Sequence, residues 1–481
     1  MTPTLQPRSD GITNWRNRTI WTGDNLAVMR GMNSNSVDLI YLDPPFNSNR
    51  NYSAPIGSEA AGAAFKDTWT LDDVDLAEHG EIADRNPALY KVIDAAGDAH
   101  GKGMKSYLIM MGTRLLEMRR LLKDSGSIYL HCDDAANYWL RAIMDAVFGS
   151  TNFRNDITWK RTSAHNDPKR YGRITDTIFF YTKTDQYTWN IQHTDYSQEY
   201  IGRFFRHEDE RGRYKAQDLT AAGASEGDSG APWRGYNPTG IGRHWSVPRR
   251  IVRNLAGEGG LKLSIHERLD LLHEHGYIHI PKRGNHPSYK SYLKDLPGAP
   301  VQNLWSDINR VESQAKERLG YPTQKPLALL KRIIAASSQP DDVVLDPFCG
   351  CATACIAAEQ LDRQWVGIDL SPLAAALVLR RAENEIGSLF AIDHRTDIPR
   401  RTDLGKLPNY RTHKHTLYGL QEGVCAGCQV HFPFRNLTVD HKTPRSRGGG
   451  DHFENLQLLC GACNSAKGDG TMAELLARLN H

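Results

Sequence analysis

The chain has 481 residues and a formal net charge of +3. That length calls for two or three domains, and the charge excludes a global basic field, so any polyanion must be held by local patches. No apolar run approaches the ~18 residues of a membrane span, and the polar stretch from Met1 to Arg18 lacks a signal-peptide core. A soluble protein of a reducing, cytoplasmic compartment is expected, and Cys132, Cys349, Cys351 and Cys355 agree, since they show no disulfide-framework spacing.

From about Ile20 to Trp159 strands and helices alternate. Ile20 to Asp24 reads as a short strand and turn, and Ser36 to Leu42 as a second strand. Asp43-Pro44-Pro45-Phe46 then emerges at a strand's carboxyl end, where ligands bind in open α/β sheets. Two consecutive prolines fix the backbone and remove two amide donors, leaving carbonyls free. A carboxylate, a rigid carbonyl and an aromatic face together suit gripping an exocyclic amine on a flat heterocycle. The two acceptors take its hydrogens, the ring stacks, and the nitrogen lone pair is left for an electrophile. Tyr107 to Leu122 and Asn137 to Phe148 carry apolar residues at helical spacing, and Gly126 to His131 reads as a buried strand.

The middle, roughly Lys160 to Gly320, is rich in Arg, Gly, Pro and Trp, has weak periodicity, and carries a patch at Ala221 to Ala231 expected to be flexible. Three cationic clusters stand out: Lys160, Arg161, Lys169, Arg170 and Arg173; Arg203, Arg206, Arg211, Arg213 and Lys215; and Arg243, Arg249, Arg250 and Arg253. Trp233, Tyr236 and Trp245 are interleaved. Basic side chains on phosphates supply affinity, and arginine can read guanine edges. The plainer alternative is a solvated surface over an aromatic core. His266, His273, His275 and His279 are read as an exposed helix and strand rather than a metal cluster.

From Gln324 the α/β pattern returns. A helix (Pro326 to Ser337) leads to the strand Val343-Val344-Leu345, the turn Asp346-Pro347-Phe348-Cys349-Gly350, a helix (Thr353 to Gln360) and the strand Trp365 to Ile368, ended by Asp369. A glycine-bearing turn before a helix lets backbone approach a ligand, and an acid ending the next strand typically grips ribose hydroxyls. Alone, this fits any nucleotide fold.

Together with Asp43-Pro44-Pro45-Phe46, the pattern resembles the β-class (permuted) DNA amino-methyltransferases that use S-adenosylmethionine. There the catalytic motif precedes a target-recognition region, and the cofactor motifs follow. Tyr321 to Pro326, Gly23-Asp24-Asn25 and Gly126 to Asp133 are similar to further motifs of that family. The resemblance implies a Rossmann-like α/β sheet with helices on both faces and base flipping with direct in-line transfer. It implies that Asp43 and the Pro44 carbonyl accept the amine hydrogens, with Pro45 holding the loop, and that Phe46 stacks the flipped base. Asp346, Pro347, Phe348, Cys349 and Gly350 would form the cofactor loop, Asp369 would bind the ribose and Asp24 the adenine end, and Thr323, Gln324 and Lys325 would close over the methionine part. The leading Asp resembles adenine-N6 enzymes more than cytosine-N4 ones, which remain the alternative. The chain departs at Gly350-Cys351-Ala352, where many members read Gly-x-Gly; alanine tolerates a helical N-terminus but not a strongly positive φ, so the loop should still work if position 352 is already helical.

Beyond Asp393 a basic connector (396–415) leads to a small block (416–470) and a short final helix (471–481). Cys425-x2-Cys428 and Cys460-x2-Cys463 have the spacing of a closed tetrahedral zinc site, which would staple a domain too small for a large core. With Asp440-His441, Gly448 to Gly450, Asn455 and Asn464, this block resembles the HNH nuclease family and its ββα-metal fold. The resemblance implies His441 as the general base activating water, with Asn455 orienting it. Asp440 and Asn464 would hold a magnesium-like ion. A module that only binds DNA is the alternative. The whole reads as a methyltransferase domain (1–395: catalytic half 20–159, recognition region 160–320, cofactor half 321–395) fused to a nuclease-like domain. Double-stranded DNA is the expected partner, no membrane contact is expected, and the oligomeric state is left open.

Overall fold

The computed structural model describes residues 11–46, 50–53, 64–67, 73–163, 169–280, 286–312, 314–321, 323–386, 392–403 and 409–479. Pro322 and positions 404–408 of the connector lie outside them. A nine-stranded mixed sheet organises the chain. In chain order its strands are β1 (Thr19–Thr22), β2 (Val37–Leu42), β3 (Leu122–Cys132), β4 (Phe153–Lys160), β5 (Thr175–Thr182), β6 (Leu304–Trp305), β7 (Val343–Asp346), β8 (Gln364–Asp369) and β9 (Asp393–Arg395). Their spatial order is β6-β4-β5-β3-β2-β7-β8-β1-β9. Neighbours from β3 to β9 run parallel, while β5 lies antiparallel between β3 and β4.

Strands β2 and β7 are buried throughout, as parallel strands covered on both faces must be. Side chains alternate along them. Ile40, Leu42, Ile128, Leu130, Leu345, Val366 and Ile368 join one core with apolar residues of α1 (Asn25–Gly31), α2 (Asp73–Arg85), α3 (Pro87–His100), α4 (Lys102–Leu121) and α5 (Asn137–Phe148). Tyr129 points the other way and meets Ser337 of α6 (Leu327–Ser337), their hydroxyls 2.7 Å apart. The cofactor half continues with α7 (Thr353–Glu359) and α8 (Pro372–Ile386).

The sheet reaches further into the middle block than the composition implied. β5 (Thr-Asp-Thr-Ile-Phe-Phe-Tyr-Thr) and β6 belong to it, so the separately folded unit is Gln192–Val301. Helices α2 and α3 were also not foreseen, although Asn86 caps α3 by accepting from the Leu89 amide (3.0 Å) and Pro87 opens it. Within Gln192–Val301, Trp233 and Trp245 form a core with Leu219, Ile251, Val252, Leu269 and Leu272. They are therefore packing residues rather than open stacking faces. Arg213, Arg243 and Arg253 pair with Glu208, Asp218 and Glu258, and such exposed pairs cost little to exchange for phosphate contacts. The four histidines form no metal-type cluster among the described residues.

The C-terminal block is a ββα unit. The antiparallel strands β10 (Leu437–His441) and β11 (Leu456–Cys460) lead into α10 (Gly461–Lys467), flanked by α9 (Lys414–Leu420) and α11 (Met472–Leu479). The connector is pinned to the first domain. Asn14 Nδ2 donates to the Arg400 carbonyl (2.7 Å), the Thr402 amide to Asn33 Oδ1 (2.8 Å), and the Ser34 amide to Asp403 Oδ2 (2.9 Å). No helix among the described residues is long and apolar enough to cross a membrane.

Glu117 on α4 is buried, with Arg120 at 2.7 Å and Arg85 at 2.8 Å. Burial alone would raise its carboxyl, yet Arg120, Arg85 and Arg30 outweigh that and hold it down at about 2. A depressed carboxylate contributes stability above its unfolded pKa and loses it as pH falls through the folded value. Glu117→Gln should therefore cost about 3 kcal/mol at pH 7. In urea unfolding, the gap to the parent chain should close as pH falls from about 4 toward 2.

Candidate active site and metal centre

In the parallel pair β2–β7, Leu39 stands opposite Val344 and Ile40 opposite Leu345. The loops leaving their carboxyl ends, Asp43–Phe46 and Asp346–Gly350, therefore open side by side although about three hundred positions separate them in the chain. Both line one cavity of ≈ 620 Å³, with Phe46 and Phe348 in its wall, a size that takes a nucleoside-like ligand. Asp24, Thr323, Gln324, Lys325, Cys349 and Asp369 line it too. All residues expected at the catalytic and cofactor loops are thus brought to one place.

The Asp346–Gly350 loop is held through its backbone groups by neighbouring residues. Asp369 accepts the Gly350 amide on Oδ2 and the Ser371 amide on Oδ1, both at 2.8 Å. The Cys349 amide donates to the Ile368 carbonyl (3.0 Å), and Asn25 Nδ2 to that of Pro347 (2.7 Å). Asp369 keeps spare lone pairs for ligand hydroxyls. Burial pushes Asp346 well above the usual carboxylate range, and the like charges of Asp43 and Asp369 add to this against the Phe348 amide. Burial raises Asp369 as well. A cation bound here would relieve that repulsion, and the sulfonium of S-adenosylmethionine is such a cation.

Ala352 does not meet the condition of a right-handed helical conformation. It adopts a left-handed one (φ 55°, ψ 37°) as the cap of α7. That costs about 1–2 kcal/mol. Glycine would instead lose about 0.5–1 kcal/mol of chain entropy and a buried methyl group of about 0.8 kcal/mol, so alanine is tolerable.

Three contacts were not legible as motifs. Arg114 on α4 binds Asp24 (2.8 Å) and Asn25 Oδ1 (2.6 Å), fixing the start of α1, where Asp24 also caps the Leu26 amide (3.1 Å). Its only signal was a lone arginine among buried Met110, Met111, Leu115 and Met118. His131 is fully buried and stacks on Phe46 (6.0 Å between centroids, 21°), with its ring nitrogens against Tyr41 Oη (3.0 Å) and Asp176 Oδ2 (3.1 Å). Burial, then Lys325, lowers its pKa, so the imidazole is neutral. Lys325 reaches across to Asp43, Nζ to Oδ2 at 2.5 Å. Gln324 spends its side chain on the Glu317 carbonyl (2.6 Å) and the Leu319 amide (2.9 Å).

In the small domain, the four sulfurs of Cys425, Cys428, Cys460 and Cys463 lie within 4.8 Å of one another. Tetrahedral zinc–thiolate bonds of about 2.3 Å need sulfurs about 3.8 Å apart, and Cys428 and Cys460 stand at 4.0 Å. The set fits zinc. Against burial, the amides of Cys460, Cys428 and Gly427 hold the Cys425 thiol down to about 7.

His441 sets Nε2 2.8 Å from Asp451 Oδ1, with its ring 4.7 Å from that of Tyr410. Asn455 is committed to the glycine-rich loop. Its Oδ1 accepts the Thr443 amide, and its Nδ2 donates to the Thr443 and Gly450 carbonyls, all at 2.9 Å. Asp440 accepts from Gln457 Nε2 (3.0 Å) and lies 3.2 Å from the buried Lys467 ammonium, while Asn464 lies half-buried on α10. A divalent ion at Asp440 would have to displace the Lys467 ammonium.

Gly350 sits at φ +49°, and a Cβ there would come 2.9 Å from Tyr321 Cε1. Gly350→Ala combines backbone strain of about 1–2 kcal/mol with displacement of a ring lining the cavity. Calorimetric titration should find S-adenosylhomocysteine binding at least about ten-fold weaker.

The DNA methylase family matches residues 37–379, and the HNH endonuclease family residues 425–470. A type II methyltransferase of Enterobacter cloacae, M.EcaI, is 31% identical over 367 residues, covering 76% of this chain and 69% of that protein. The Mod subunit of the type III restriction-modification enzyme StyLTI of Salmonella typhimurium is 28% identical over 361 residues, covering 71% of this chain and about half (50%) of that subunit. Among solved structures, a putative DNA modification methylase from Thermus thermophilus, complexed with S-adenosyl-L-methionine, aligns at 17% identity and a TM-score of 0.36, covering 79% of this chain and 98% of that one. The chain belongs to the DNA methylase family and carries an HNH endonuclease domain at its C-terminal end.

Proposed function

We propose that this enzyme transfers the methyl group of S-adenosylmethionine to the N6 amine of adenine in double-stranded DNA, and that its HNH module cuts DNA, uniting modification and restriction in one chain. The observation that carries the methylation reading is the single cavity lined by the Asp43–Phe46 and Asp346–Gly350 loops. Bound there, S-adenosylmethionine would supply an electrophilic methyl group.

Asp43 and the Pro44 carbonyl would each accept one amine hydrogen, holding the lone pair toward the methyl group, while Pro45 stiffens the loop and Phe46 stacks the base. The base must leave the duplex, at a few kcal/mol. Burial raises the Cys349 and Cys351 thiols, so neither offers a thiolate for a covalent route, and direct in-line transfer is favoured. Rate enhancement then rests on positioning and electrostatics. Asp369 would take ribose hydroxyls, and Asp24 the adenine end. The leading Asp of the motif supports adenine over cytosine-N4. So does the 42% identity over 104 residues with the Escherichia coli protein named DNA adenine methyltransferase YhdJ, a likeness covering 22% of this chain and 33% of that one.

In a reducing cytoplasm the four cysteines would hold zinc. His441 would act as general base, with Asp451 holding its other ring nitrogen. A second reading, DNA binding without cutting, is favoured by the Lys467–Asp440 pair.

Asp43→Ala should abolish transfer of labelled methyl groups to DNA while leaving DNA affinity largely intact; residual transfer near the parent rate would sink the assignment. Mass spectrometry of digested product should find N6-methyladenine, and N4-methylcytosine would reverse the base while keeping the reaction class. Plasmid incubated with divalent ions should acquire nicks that vanish in His441→Ala. If methylated and unmethylated plasmids both stay intact with every metal tried, the binding-only reading stands.

A further inference from the structure

Lys325 does two things at once. Its Nζ lies 2.5 Å from Asp43 Oδ2 and 5.1 Å from the centroid of the Phe46 ring, with the side chain only 8% exposed. The other carboxylate oxygen, Asp43 Oδ1, is shut off from solvent and has no hydrogen-bond partner among the described residues. The acceptor and the ring assigned above to the target amine and its base are therefore both engaged by one ammonium. An ammonium and an exocyclic amine offer a carboxylate the same kind of N–H donor, and a cation near a ring face competes with a ring that would stack there. We propose that Lys325 is a placeholder for the target base, holding Asp43 and Phe46 while the site lacks DNA and yielding them when the flipped base enters. This deepens the methylation reading and rests on it.

The fold gives a reason for such a device. Asp43 shares its cavity wall with Asp346 and Asp369, and a carboxylate so enclosed is costly unless a cation answers it. Lysine suits a temporary partner, since its charge is a point on a flexible stem, whereas the arginine fork grips carboxylates bidentately. The Thr323 carbonyl, 3.4 Å from Nζ, offers a second acceptor on which the ammonium can settle.

The test compares the wild type with Lys325→Met and Lys325→Gln for equilibrium binding to unmethylated plasmid DNA in S-adenosylhomocysteine, and for KM and kcat of methyl transfer. Simple electrostatics predicts that losing a cation weakens DNA binding. The placeholder predicts the opposite sign. Lys325→Met should bind DNA about three-fold tighter or more, with a lower KM for DNA, and Lys325→Gln should fall between. Equal or weaker DNA binding overturns the proposal, as does a fall in kcat without a gain in DNA affinity. Should Lys325→Met fail to fold, Lys325→Gln carries the same comparison. A wild type that binds DNA yet transfers no methyl group would overturn the methylation reading instead, while the binding comparison still decides on the lysine.

Discussion

The parallel pairing of β2 with β7 is the constraint from which the rest of the first domain follows. Two residue pairs, Leu39–Val344 and Ile40–Leu345, fix the register. Because side chains alternate strictly along a strand, a slip of one position would turn both buried faces inside out. Once that register is set, two loops rich in proline and glycine must leave the sheet side by side. The same geometry concentrates Asp43, Asp346 and Asp369 around one cavity. Such a concentration is tolerable only because Lys325 answers Asp43 and backbone amides answer Asp346 and Asp369.

Much of this could be read from the chain itself, and the reason is local. Two prolines after an apolar strand, a glycine turn between strand and helix, and two C-x2-C pairs each encode backbone or ligand chemistry within a few residues, so they need no knowledge of the fold. What escaped reading depends on distant partners. Lys325 meets Asp43 across 282 positions, and Arg114 meets Asp24 across 90. His131 reads only as the end of a buried strand because its neighbour in space, Phe46, is set by the pairing of β2 with β3. Strand β5 was lost among arginines and glycines, although Ile178, Phe179, Phe180 and Tyr181 are all buried. Trp233 and Trp245 could be read either as stacking faces or as core, and only packing decides between those.

The small domain divides its labour differently. Four cysteines staple a small core of Leu417, Tyr418, Leu437, Leu456, Leu458, Leu459 and Leu475, while Asn455 and Asp451 brace the loop and the histidine around it. Its tether is no free leash. The Arg400 carbonyl and residues Thr402 and Asp403 are hydrogen-bonded into the first domain, and a Cβ on Gly80 of α2 would come within 3.1 Å of His415 at the start of α9.

The chain order of β2 and β7 also has a consequence for biogenesis. The strand that leads into Asp43 leaves the ribosome first, and its partner carrying Asp346 follows about three hundred residues later. At translation rates of about 5–20 residues per second, that edge of β2 waits roughly 15–60 s for its hydrogen-bonding neighbour. An open, apolar strand edge invites pairing with other chains. The nascent enzyme is therefore most prone to aggregate during this interval, before the cofactor half has been made.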